Sequence, residues 1–275
     1  MSTDLFSVEL ADKHFKAVSE RLYKLCGINL TDGKEGLVKS RLLKRLRHLG
    51  LENFDQYFDY LDKDKTGKEL STMVDSLTTN KTSFFRESSH FDYLQMNLFP
   101  EIAAQGGHCR IWSAGCSTGE EPYTIGMLLC EAFSNIERMN IRILATDISN
   151  QVLARASAGV YDEETLHDVP AQLRKKYFQP VQAKQPQTYK VVDKVRSLVK
   201  FARLNLMGDW PMKGPFDIIF CRNVMIYFDK PTQQELVNCF WELLRPGGHL
   251  FVGHSESLNS SGRQFRYVQP AVYMR

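Results

Sequence analysis

The sequence has no apolar run near the roughly 20 residues that cross a bilayer, so direct membrane insertion is not expected. Its six cysteines, at 26, 109, 116, 130, 221 and 239, form no Cys-x-x-Cys pair, and no His/Cys group has ligand spacing. A disulfide framework and a zinc site are thereby set aside, and no metal is expected. The thiols read as reduced, mostly buried side chains of a cytoplasmic protein. From Met1 to Phe6 there is no basic stretch followed by an apolar one, so no secretory signal is expected. Charge of one sign is also scarce. Thirty-five Lys and Arg face 32 Asp and Glu, and a net +3 is too weak a field to imply nucleic acid by itself. His-Glu-x-x-His and Gly-x-Gly-x-x-Gly are both missing, which disfavours zinc-protease and dinucleotide chemistry. So is the Asp/Asn-Pro-Pro-Tyr turn of nucleic-acid amino-methyltransferases.

What remains is a chain of 275 residues, long enough for two cores, with two kinds of periodicity. Residues 1–75 repeat apolar side chains at three and four. Phe15, Val18, Leu22 and Leu25 form one stripe, and Val38, Leu42, Leu46 and Leu49 the next. Phe54, Tyr57, Phe58 and Leu61 form a third, and Leu70, Met73, Val74 and Leu77 a fourth. Four helices punctuated by Gly27, Gly33, Gly50 and Gly67 are expected. Residues 76–90 form an interdomain segment. From 91 to 275, short apolar runs alternate with helical stripes, which predicts a parallel sheet with helices on both faces.

Ile111 to Pro122 carries the most chemistry. An apolar strand stops at Gly115, and a helix follows at once. Ser117 with Glu120 and Thr118 with Glu121 read as two overlapping capping boxes. Strand, glycine turn, helix is how an α/β sheet opens a crevice for a nucleotide-like ligand. Here two carboxylates sit where a pyrophosphate needs bare amides and positive potential. The turn suits a nucleoside without phosphates, and S-adenosylmethionine, with its sulfonium and ammonium groups, is the commonest such cofactor. A second run ends in Thr146-Asp147. Asp147 reads either as an acceptor for ribose hydroxyls or as an ordinary strand-end cap. A third, Phe216–Cys221, delivers Arg222, Asn223 and Tyr227 beyond a buried strand, and Leu244-Arg245-Pro246-Gly247-Gly248 ends the following helix. The tail around Gln269-Pro270 reads as a closing hairpin. His254 reads as structural.

Two features stay open on the residues alone. Thr78–Glu87 is either a linker with an aromatic plug or a strap across the crevice that contributes Arg86. From Lys34 to His48, six cations face the single anion Glu35. That stripe is either a solvated face or, through Arg41, Lys44 and Arg45, a recognition surface for a carboxylate-rich protein.

Together these residues resemble the CheR family of chemotaxis receptor methyltransferases over nearly the whole chain. The most specific stretches are Leu77–Glu87, Trp112–Tyr123, Phe220–Phe228 and Gly253–Glu256. The resemblance implies a Rossmann-like α/β methyltransferase sheet behind an all-α N-terminal bundle. It also implies a small antiparallel β-subdomain, matched here to residues 180–204. It implies transfer from S-adenosylmethionine, released as S-adenosylhomocysteine, to glutamate carboxylates of chemoreceptors. Asn80, Thr82, Arg86, Glu120, Asp147, Asn205, Leu206, Arg222 and Asn223, with Gly115 at the turn, would line the cofactor site. Arg86 and Tyr227 would face the transferring methyl group. The implied setting is a cytoplasmic monomer recruited to receptor arrays, with a receptor C-terminal peptide as a partner for the β-subdomain. Two other readings stand beside it: a methyltransferase of a small carboxylic acid, and a non-catalytic cofactor-binding adaptor.

Overall fold

A computed structural model describes residues 8–181, 187–258 and 265–275. The chain divides into two compact units, Met1–Thr79 with Tyr227–Asp229, and Asn80–Ile226 with Lys230–Arg275.

The first unit holds the four expected helices, α1 (Asp12–Cys26), α2 (Glu35–Leu49), α3 (Phe54–Lys63) and α4 (Lys68–Leu77). Each buries its stripe: Val18 and Leu22, then Val38, Leu42 and Leu46, then Tyr57 and Leu61, then Met73, Val74 and Leu77. α1 and α2 end where Gly27 and Gly50 turn left-handed, with φ of 71° and 69°, a conformation that side chains resist. Asn53 caps α3 by accepting from the Gln56 amide.

The second unit runs α5 (Ser89–Tyr93), α6 (Phe99–Ala104), β1 (His108–Ala114), α7 (Glu120–Ala132), β2 (Asn140–Asp147), α8 (Asn150–Ala158), β3 (Val160–Asp162), α9 (Ala171–Tyr177), β4 (Phe178–Val181) and β5 (Thr188–Val191). It continues α10 (Asp193–Arg196), β6 (Val199–Arg203), β7 (Phe216–Cys221), α11 (Lys230–Leu243), β8 (Leu244–Val252), β9 (Arg266–Gln269) and β10 (Val272–Met274). Seven strands form one sheet in the order β6-β2-β1-β7-β8-β10-β9. The first five are parallel, and the closing hairpin pairs antiparallel with β8 through β10. Ile111 and Trp112, adjacent on β1, are both fully buried, as a strand covered on two faces requires. Trp112 packs against Trp210, Phe216 and Phe240 of α11, while Phe220 stacks on Phe251 with centroids 4.4 Å apart.

The small sheet differs from the expected span. It consists of β3, β5 and β4 in antiparallel order, so it begins at Val160. Val199–Arg203, expected inside it, pairs parallel with β2 as the edge of the main sheet, from Ile143↔Val199 to Asp147↔Arg203. A half-exposed edge strand alternates polar and apolar residues just as a strand of a small antiparallel sheet does, so periodicity alone does not assign it. Most of the 179–187 loop lies outside the described residues. Among the described residues no helix is long and apolar enough to cross a membrane. All six cysteines are free, five of them buried.

β1 lies between β2 and β7, so the chain leaves it in opposite directions. That is the topological switch point of an open α/β sheet, where its ligand crevice opens beyond the carboxyl ends.

Candidate active site

The turn after β1 spends most of its amides on the end of β2. Gly115 and Cys116 both donate to the Thr146 carbonyl, at 2.8 and 2.9 Å, and Gly119 donates to Cys116. Ser117 donates its amide to the Asp147 carboxylate at 2.9 Å, and Ser149 donates to the other oxygen at 3.0 Å. Two backbone donors thus aim a buried carboxylate at the end of β2. Gly115 has φ 82°, and a Cβ there would lie 2.4 Å from Val224, so the turn closes only without a side chain. A phosphate needs free amides at this place. The amides are committed and the flanking side chains are acidic, so the donor set fits a nucleoside with a cationic tail and rejects a pyrophosphate.

The capping boxes do not form as expected. The helix is preceded by Gly119 at φ 98°, with no side-chain cap. Ser117 stands at φ 47° and donates its hydroxyl to the Asn80 carbonyl at 2.8 Å, while Thr118 donates to both Glu120 oxygens at 2.8 Å. Glu121 accepts from Ser113 at 2.6 Å and from Arg222. Glu120 is 3% exposed, and burial raises its pKa against the lowering pull of Thr118. It therefore gains from any ligand that brings a donor or a positive charge.

The segment after Thr79 belongs to this second unit. Phe84 is fully buried edge-on against Tyr161 and Phe178, and the Phe85 amide donates to Thr124. The aromatic plug therefore forms, within the second unit. Asn80 lies against the turn, Thr82 is half-buried, and half-buried Arg86 donates to the Lys81 carbonyl at 3.0 Å. Asn205 and Leu206 follow β6, half-buried, just past the Leu204 amide that donates to the Asp147 carbonyl.

Arg222 is 3% exposed at its side chain. It donates to Glu87 at 3.1 and 3.2 Å, to Glu121 at 3.0 Å, and to the Arg86 carbonyl. Its guanidinium is thereby spent on holding the strap and the start of α7. Burial alone would raise the Glu87 pKa, but Arg222 and the His254 amide outweigh it and hold it low. Asn223, at φ 58°, is fixed by two acids: its amide donates to Glu256 at 2.8 Å and its side chain to Glu87 at 3.4 Å. Glu256 also accepts from Gly253 at 2.6 Å and Ile226 at 3.1 Å, although burial raises its pKa. Four of the five non-glycine residues with positive φ among the described residues, Phe85, Glu87, Ser117 and Asn223, lie on these segments. Strain of this kind gathers at functional sites.

Glu87, Glu121 and Glu256 are the anchors that the motif reading passed over. All three sit inside the quoted stretches, Glu87 after Arg86, Glu121 after Glu120 and Glu256 after His254-Ser255. The Arg222 side chain and Asn223 backbone amide they hold lie 33 to 135 residues away in sequence, so spacing could not reveal the pairing.

The remaining assigned residues fall in the first unit. The Tyr227 hydroxyl donates to the Thr79 carbonyl at 3.2 Å, and its carbonyl accepts from Asn29 at 2.8 Å. Arg41 donates to the carbonyls of Leu77 and Thr78 and to the Thr79 hydroxyl, covering the end of α4. Arg45 grips Glu69 with two donors at 2.7 and 3.0 Å, and Tyr57 adds a third bond to the same acid. Lys44 is exposed on the same helix.

Comparison with known proteins matches residues 80–274 to the family described as "CheR methyltransferase, SAM binding domain" and residues 13–78 to "CheR methyltransferase, all-alpha domain". The chain is 45% identical over 260 residues to chemotaxis protein methyltransferase 2 of Pseudomonas aeruginosa, covering 94% of this chain and 91% of that one. It is 43% identical over 245 residues to a probable chemotaxis protein methyltransferase of Rhizobium etli, covering 88% and 91%. The Escherichia coli chemotaxis protein methyltransferase is 40% identical over 265 residues, covering 96% and 91%.

Proposed function

The chain belongs to the CheR methyltransferase family, and we propose that it methylates glutamate side chains on the cytoplasmic domains of chemoreceptors, giving methyl esters for sensory adaptation. The observation that carries the cofactor half is the turn after β1, with its amides spent and Asp147 aimed past β2 by Ser117 and Ser149. Asp147 and Glu120 would accept from the hydroxyls and ammonium of S-adenosylmethionine. Gly115, Asn80, Thr82 and the Asn205-Leu206 pair would line it, and Arg222 and Asn223 would present backbone and amide groups held by Glu87, Glu121 and Glu256.

When bound, the cofactor supplies an electrophilic methyl group on a sulfonium. A glutamate side chain has a reference pKa of about 4.3 and is already a nucleophile at neutral pH. No general base is required of this chain. A carboxylate and a sulfonium become a neutral ester and thioether, so charge is lost, and a crevice that excludes water favours the change. The protein's own task is alignment, which supplies up to about 7–11 kcal/mol when two reactants are well oriented. Arg86 would steer the distal carboxylate oxygen, and Tyr227 would orient the same acid.

The basic helix α2 would meet the acidic receptor. Arg41 and Arg45 hold the helical unit together, so contact falls to the exposed cations on their face, Lys34 and Lys44. The enzyme would act as a monomer in the cytoplasm at receptor arrays, with the small sheet as the docking place of a receptor C-terminal peptide. The test is label transfer from methyl-labelled S-adenosylmethionine to membranes containing chemoreceptors, followed by alkali. Base-labile methanol is expected. Label that resists alkali, or that stays off the receptors, would refute the assignment.

A further inference from the structure

Three side chains distant in sequence meet beside the Arg222 anchor. Glu87 comes from the strap, His90 from α5, and His254 from the loop after β8. One ligand atom from each lies within 4.8 Å of the others. His90 is fully buried, and among the described residues neither of its ring nitrogens has a hydrogen-bond partner. Its Nδ1 stands 3.6 Å from Glu87 Oε2. The imidazoles of His90 and His254 are edge to face, with centroids 5.0 Å apart. His254 is exposed, with Nε2 3.4 Å from the Ser89 hydroxyl, so its ring opens the group to solvent.

A buried polar group without a partner costs about 1–3 kcal/mol, and such orphans in native proteins call for an explanation. A neutral imidazole offers a lone pair to a cation. The charge balance also favours a cation. Arg222 bears one positive charge, and its partners Glu87 and Glu121 bear two negative ones. Two imidazoles and one carboxylate suit a borderline transition metal, whereas Mg²⁺ and Ca²⁺ ask for oxygen.

We propose that Glu87, His90 and His254 form a binding site for a divalent transition-metal ion of the zinc class, and that occupancy lowers cofactor affinity. Metal–ligand bonds of about 2.0–2.2 Å require the three donors to draw together, and the exposed His254 ring has the freedom to close. The second effect rests on the cofactor site assigned above. Glu87 serves both the metal and Arg222, and Arg222 in turn holds the Arg86 carbonyl while Glu87 holds the Asn223 side chain. A cation on Glu87 weakens that pair, and the residues beside the cofactor loosen with it.

The experiment titrates Co²⁺ into the full chain freed of metal and follows visible d–d absorption, for wild type and His254→Ala. Circular dichroism melts confirm that both are folded. Wild type should give a saturable spectrum that Zn²⁺ displaces and Mg²⁺ does not, and His254→Ala should bind at least about tenfold more weakly. A missing spectrum, or equal binding by the variant, overturns the site. Calorimetry of S-adenosylhomocysteine then compares each protein with and without Zn²⁺. Affinity should fall in wild type and hold in His254→Ala, and an unchanged wild-type affinity overturns the coupling. If S-adenosylhomocysteine fails to bind metal-free wild type, the cofactor reading is what fails, and the cobalt titration still decides the site.

Discussion

Each unit of the molecule contains an arginine bonded to acids that are largely shielded from solvent, and the two arginines do different work. In the helical unit, Arg45 of α2 meets Glu69 of α4, and Tyr57 of α3 completes the bond set. The network joins three neighbouring helices whose backbones are regular. In the catalytic unit, Arg222 joins the strap to the start of α7, segments 135 and 101 residues away in sequence. Its surroundings are irregular, with positive φ at Phe85, Glu87 and Asn223. The same ion-pair chemistry fixes a core in one place and holds strained loops at a crevice in the other. An arginine inside a motif can therefore act by fixing distant loops in place.

The largest expected effect breaks the second network. Arg222→Met leaves Glu87 and Glu121 uncompensated, and removing one partner of a buried pair costs about 3–5 kcal/mol. Denaturant unfolding should show that loss, and S-adenosylhomocysteine binding should fall with it. Arg86→Ala leaves the core intact and should cut turnover by up to about a hundredfold, more than it cuts cofactor affinity, since its assigned work is alignment. Tyr227→Phe should do the same more mildly; steady-state kinetics beside calorimetry separates the two effects. Arg45→Met should cost about 1.5–3 kcal/mol, the worth of hydrogen bonds to a charged group, and leave cofactor affinity unchanged. A drop in cofactor affinity there would erase the contrast between the networks. The most local effect is a pH slope. Burial and the nearby Arg245 and Arg266 depress His249 from an ordinary 6.5 to about 4. The unfolded chain takes up this proton first, so stability falls as pH drops from about 6.5 to about 4, by at most about 1.4 kcal/mol per unit. His249→Gln should flatten the curve.

Much of this architecture is legible in the sequence. Helical periodicity located all four helices of the first unit, because each must bury one stripe. Continuous apolar runs located β1, β2, β7 and β8, because strands covered on both faces have no polar side. Legibility stopped where the outcome depended on distant partners. Ser117 reads as a cap, yet its hydroxyl goes to Asn80 and its backbone is left-handed. Val199–Phe201 reads as part of a small sheet, yet hydrogen bonds to β2 claim it. Arg41 and Arg45 share a basic stripe in sequence, and packing turns both toward α4. Glu87, His90 and His254 have no ligand spacing, and the fold alone brings them together.

The division of labour between the units is tested most directly by one calorimetric series with S-adenosylhomocysteine. Asp147→Ala removes the acid aimed by Ser117 and Ser149, and affinity should weaken by about 1–3 kcal/mol, the cost of an unmade bond to a buried polar group. Lys34→Glu with Lys44→Glu reverses two exposed charges, one just before α2 and one on it, and should leave that affinity at the wild-type value while receptor methylation falls, most strongly at low salt. Full affinity in Asp147→Ala, or lost affinity in the lysine reversal, would contradict the account.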